Sequence, residues 1–131
     1  MKFFYISKTE DEMIVSGIVM QGTPPELEDS PFVDSQGDWV KMVTLQKTAR
    51  EYMTRGKFIF DVNHVGDEYE FDILESYVVD EDDVQKFGVK IQKGAWVLTL
   101  QIDDADIWQL IKSGELSGFS PYGSAQSPED V

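Results

Sequence analysis

The chain contains no cysteine. That excludes disulfides, thiolate nucleophiles and every cysteine-based metal site. It has one histidine, His64, in 131 residues. A zinc site of ordinary composition is therefore nearly excluded, and any imidazole chemistry falls to that residue. Basic residues are few: 11 Lys plus Arg against 25 Asp plus Glu, a formal net charge of -14. A field of that sign repels phosphate backbones and anionic membrane surfaces, and attracts basic partners or cations. The same acidity also serves solubility. No run of about 18 apolar residues occurs, so no membrane span is expected. The opening Met1-Lys2-Phe3-Phe4-Tyr5-Ile6-Ser7 is too short for the apolar stretch of a signal peptide and reads as a first strand.

What is present is enough for one core. Hydrophobic residues make up 41% and aromatic residues 12% of the chain. A chain of this length buries roughly two-thirds of its unfolded surface. Residues 1–123 read as a single domain and residues 124–131 as a flexible polar tail, with no internal repeat or linker.

Lys2–Ile6 and Met13–Met20 are rich in β-branched and aromatic residues and read as a hairpin around the polar Ser7–Glu12. Gln21–Ser30 is loop, and Asp34-Ser35-Gln36-Gly37-Asp38 is a tight polar turn. Thr44–Arg55 reads as a helix with Thr44 as N-cap, an apolar stripe of Leu45, Ala49, Tyr52 and Met53, and Gly56 as its stop. Phe58–His64 and Tyr69–Val79 read as two strands joined by a turn at Val65-Gly66-Asp67. Val89–Ile91 is a short strand. Ala95–Ile102 is so continuously apolar that a central strand is expected. Asp103 or Asp104 caps a helix over Ala105–Lys112 that buries Ile107, Trp108 and Ile111 and ends at Gly114. Leu116–Ser120 is a last strand. The expected class is α+β and β-rich: a curled antiparallel or mixed sheet, or a small β-barrel, flanked by two main helices.

Two residues invite a chemical reading. Ser120 and His64 each end a predicted strand beside a Gly-containing turn, where a rigid frame can hold a side chain at a cleft. A serine nucleophile needs a base within hydrogen-bond reach, and imidazole suits that task near neutrality. From the residues alone, a catalytic pair and two ordinary surface residues both remain open. The acidic runs Asp80–Asp83 and Asp103–Asp106 lack calcium-loop spacing and read as a solvated turn and a helix N-terminus. Trp96 and Trp108 read as core; Trp39 is the one left for a ligand. No cofactor or metal is expected.

Four segments, in order, resemble the XkdF-like phage serine proteases, a branch of the prohead proteases. Val33-Asp34-Ser35-Gln36-Gly37-Asp38 is similar to that family's Val-Asp-x-Gln-Gly-Asp turn. Asp61-Val62-Asn63-His64 is similar to its His-bearing strand, and Leu74-Glu75-Ser76-Tyr77-Val78 to its Val-Glu-Ser-Tyr-Ile strand. Lys93-Gly94-Ala95-Trp96-Val97, Ile107-Trp108, Ile111-Lys112-Ser113-Gly114-Glu115 and Gly118-Phe119-Ser120 resemble its C-terminal half.

The resemblance implies a herpesvirus-assemblin-like fold, a β-barrel with flanking helices. It implies a serine endopeptidase with Ser120 as nucleophile and His64 as base, cleaving phage scaffolding and capsid proteins inside an immature head. The setting would be the bacterial host cytoplasm, within the procapsid, and association into a homo-oligomer is compatible with it. Glu75, on the strand that follows, is the favoured residue to orient His64. Asp61 is the other candidate, and Asp34 and Asp38 read better as turn-capping groups. Pro121 follows the serine and has no N–H, so oxyanion donors must come from Ser120 itself, from Tyr122-Gly123, or from another loop.

Overall fold

A computed structural model describes residues 4–9, 12–54, 59–62, 67–82, 84–86, 88–115 and 119–122. At 4–9, 59–62, 67–69 and 119–122 it describes the backbone alone. Nine strands occur among these residues: β1 (Phe4–Thr9), β2 (Ile14–Gln21), β3 (Ile59–Val62), β4 (Asp67–Glu70), β5 (Asp72–Val78), β6 (Val84–Lys86), β7 (Val89–Ile91), β8 (Ala95–Gln101) and β9 (Phe119–Tyr122). Two helices join them, α1 (Met42–Met53) and α2 (Ala105–Ser113), with a single 3-10 turn at Pro25–Leu27.

The strands form three sheets, with orders β1-β2-β8-β5, β4-β3-β9 and β6-β7. Every ladder is antiparallel. The α+β, β-rich class holds. Of the two expected forms, the described strands make open sheets and no closed barrel.

The organising element is β8. Ala95 through Leu100 are all buried, because β2 and β5 cover its edges and the core lies on both of its faces. Trp96, Leu98 and Leu100 pack with Leu45, Ala49 and Tyr52 of α1 and with Ile107, Trp108 and Ile111 of α2. Ala95 and Val97, one residue out of phase, pack with Val79 and Ile91 in a second cluster. Tyr52 meets the Trp96 ring edge-on, 5.6 Å between centroids. The Trp96 indole N–H donates to Ser76 Oγ at 3.0 Å, so its polar atom is satisfied on entering the core.

Two backbone devices hold the loops to this core. Gly22 N–H donates to Gly94 C=O at 2.8 Å, where the chain entering β8 crosses the chain leaving β2. A Cβ on Gly94 would lie 2.2 Å from the Gly22 oxygen, and its φ is +95°. Only glycine fits that crossing. Next to it, Thr23 N–H donates to Val40 C=O and Met42 N–H to Thr23 C=O, each at 2.8 Å. The second bond supplies a partner to an N–H at the start of α1.

That bond accounts for where α1 starts. The helix begins at Met42, and its N-cap is Lys41, which makes no side-chain cap, instead of Thr44. The Thr23 carbonyl does part of a capping side chain's work, so the helix starts earlier than its hydroxyl signal. Met53, expected in the buried stripe, is 37% exposed, while Leu45, Ala49 and Tyr52 are buried as the spacing predicts.

The predicted strand Tyr69–Val79 is two strands in two sheets, β4 and β5, parted at Phe71. Phe71 is buried in the main core, and the chain passes from one sheet to the other there. Asp67 opens β4 and is not in a turn. The hairpin strand β6 carried too short a pattern to be predicted. β9 lies two to three residues downstream of the expected strand and includes Pro121 and Tyr122. The tail over 124–131, Gly56, and Val65-Gly66 lie outside the described residues.

Candidate active site

The strand carrying Ser120 is β9. It pairs antiparallel with β3, in the register Ile59↔Tyr122, Phe60↔Pro121, Asp61↔Ser120 and Val62↔Phe119. Ser120 therefore stands opposite Asp61. His64 follows Val62 by two residues in the sequence and lies outside the described residues. The structure thus joins the strand that leads into His64 to the strand that bears Ser120. Among the described residues β9 pairs with β3 alone and is a sheet edge. An edge is where a strand tolerates proline, because the missing N–H removes no ladder bond when it faces away from the partner.

Glu75 lies on β5, in the four-stranded sheet, and is exposed. It stands opposite Thr99, with a bulge between Ile73 and Glu75. The bulge leaves Leu74 as the extra residue, 49% exposed. Thr99 in turn stands opposite Ser16, and Ser16 opposite Ser7. Glu75 thus ends a polar row that crosses all four strands. At its centre the buried Ser16 and Thr99 hydroxyls bond each other at 2.8 Å. Beyond Glu75, the Lys86 ammonium stands 4.7 Å from the centre of the Tyr77 ring. Its pKa is raised, first by contact with the Tyr77 hydroxyl and least by the charge of Glu75. β5 and β9 belong to different sheets, so no ladder links Glu75 to Ser120.

Asp34 does the turn-capping work expected of it. Its Oδ1 accepts from Gln36 N–H at 2.8 Å and Asp38 N–H at 2.9 Å, and Gly37 closes the turn at φ +83°. Asp38 contributes backbone: its carbonyl accepts from Asp34 N–H. Trp96 and Trp108 are core residues, and Trp39 is 40% exposed. An open cleft between α1 and β5 is lined by Gln46, Ala49, Arg50, Met53, Ser76 and Tyr77, among others; Glu75 does not line it. Sequence reasoning did not anticipate this cleft, because it arises from packing between segments some thirty residues apart. Among the described residues no three His, Asp or Glu side chains gather as a metal site, and no helix is long and apolar enough to cross a membrane.

The edge strand that bears Ser120 is thus paired with the strand that precedes His64 in the sequence, and comparison with known proteins gives the class: a family described as phage serine proteases. The family model described as "Putative phage serine protease XkdF" matches residues 2–129, and the chain belongs to that family. It is 30% identical over 129 residues to the phage-like element PBSX protein XkdF of Bacillus subtilis (strain 168). That match covers 98% of this chain and 43% of the relative. It is 28% identical over 127 residues to the uncharacterized protein YqbD of the same organism, covering 93% of this chain and 34% of that one. The chain thus spans less than half the length of either relative. No solved structure matches it.

Proposed function

We propose that this chain is the protease domain of a phage head-maturation enzyme, a serine endopeptidase that cuts scaffolding and capsid proteins. Ser120 attacks the scissile carbonyl, forming the acyl-enzyme through an oxyanion intermediate. His64 takes the hydroxyl proton and returns it to the leaving amine; water then releases the acyl group. Glu75 orients the imidazole. The observation that carries the reading is the β3–β9 ladder, which sets Ser120 opposite Asp61, three residues before the chain's one histidine. Family membership supports the reaction class. The charge of -14 suits basic segments of a scaffold.

The test is co-expression of the full-length protein with its scaffolding and capsid proteins. Wild type is expected to shorten one of them, and Ser120→Ala to leave it whole. Identical processing by the two would contradict the assignment. A second reading, a capsid-assembly domain with the same fold and no activity, draws support from Pro121, which removes a backbone donor beside the serine. It predicts no processing by either form.

A further inference from the structure

The register of β9 decides which backbone donors near Ser120 remain free. Pro121 stands opposite Phe60 and has no N–H to give it. In an antiparallel ladder, hydrogen-bonded pairs alternate with non-bonded ones. Phe60↔Pro121 is therefore a non-bonded pair, and its neighbours Asp61↔Ser120 and Ile59↔Tyr122 are the bonded ones. In that alternation Ser120 N–H faces the Asp61 carbonyl and Tyr122 N–H the Ile59 carbonyl. Both amides point into the sheet and are spent. The alternate positions, 119 and 121, turn their backbone groups to the side of β9 that has no partner strand among the described residues. At 121 that side carries a carbonyl and no donor. An L-residue other than proline would place an N–H there, immediately after the nucleophile and facing out of the sheet.

We infer that Pro121 restrains the Ser120 site by withholding the outward backbone donor that would otherwise stand immediately after its nucleophile. The inference rests on Ser120 being the nucleophile. Preorganised donors are among the largest contributions to acyl transfer, and loss of one costs about 10²–10³ in rate. At this site the donors come from outside residues 120–122. Any substitution that restores an N–H at 121, whatever its side chain, adds one.

The experiment measures labelling of the full-length protein by a fluorophosphonate, followed by intact mass, for wild type, Pro121→Ala, Pro121→Val, and each variant combined with Ser120→Ala. In the reaction the Ser120 Oγ–P bond forms, the P–F bond breaks, fluoride leaves, and the hydroxyl proton passes to the base. Both Pro121 variants are expected to label at least about tenfold faster than wild type. The gain should lie in the first-order bonding step, with the concentration for half-saturation little changed, because an oxyanion donor acts in the transition state. Adding Ser120→Ala should abolish the adduct. Circular dichroism and melting of each variant establish that the fold persists. Labelling of wild type at Ser120 with no acceleration in either folded variant overturns this inference and leaves the nucleophile assignment standing. Acceleration by Ala alone contradicts it too, since both side chains carry the same N–H. Absence of any Ser120 adduct in all forms overturns the nucleophile assignment and this inference with it.

Discussion

At the scale of the residue, small carboxylates in this chain do backbone work. Asp104 Oδ1 accepts from Asp106 N–H at 2.8 Å and Ile107 N–H at 3.1 Å, which caps α2. Asp104→Ala should cost about 1 kcal/mol of unfolding free energy, read from urea denaturation. No change in the midpoint would contradict the cap. Glu26 makes a different contact: its Oε1 lies 2.9 Å from Lys93 Nζ. That hydrogen bond is the main cause of both shifts, Glu26 lowered and Lys93 raised from their ordinary values. A lowered carboxyl stabilises the fold above its unfolded pKa and loses that effect as pH falls through the folded one. A raised ammonium loses it as pH rises through its own. The pair therefore contributes between the acid and alkaline extremes. Glu26→Gln should melt slightly below wild type at pH 7 in low salt, and the gap should close in acid as Glu26 is protonated. A gap that widens in acid would contradict this.

At the scale of the element, β8 and its crossing partner matter most. Leu98→Ala removes a fully buried side chain from the main core and should cost about 2–5 kcal/mol, measured by denaturant unfolding. Gly94→Ala should be at least as damaging, because backbone oxygen occupies the place of the new Cβ. An alanine variant at 94 of wild-type stability would contradict the crossing. These elements differ in how much of them is legible in the sequence. Ala95–Ile102 announces a central strand by a run more continuously apolar than alternating, and α2 announces both ends by Asp104 and Gly114, whose φ is +83°. The start of α1 is not legible, because its first N–H is met by the Thr23 carbonyl, nineteen residues upstream. Nor is the division of β4 from β5. Phe71 fits the apolar pattern of one long strand, and its burial arises from core residues distant in the sequence, on β2, β8 and the two helices.

At the scale of the whole molecule, charge and pairing across the chain decide behaviour. A net charge of -14 on 131 residues is self-repulsive, and the repulsion is screened by salt. The melting temperature should therefore rise as sodium chloride increases from about 20 to 200 mM; a fall would mean that attractive pairs outweigh repulsion. The candidate site has the same long-range character. Ser120 and His64 stand out in the sequence as a hydroxyl and the one imidazole, each beside a glycine turn. The register that sets Ser120 opposite Asp61, and through Pro121 fixes which amides are spent, joins segments some sixty residues apart and has no local signature. Glu75 was legible as a strand residue, whereas its place at the end of the row Ser7, Ser16, Thr99 depends on two bulges, one in β1 and one in β5.

The most direct test of the central claim is the pH profile of fluorophosphonate labelling for wild type, Ser120→Ala and His64→Ala. Wild type should gain one adduct, with a rate that rises between about pH 5 and 8 as the imidazole loses its proton. Both variants should gain essentially none, because nucleophile and base act as a unit. An adduct that persists in Ser120→Ala, or a wild-type rate flat across that range, would contradict a Ser120–His64 protease.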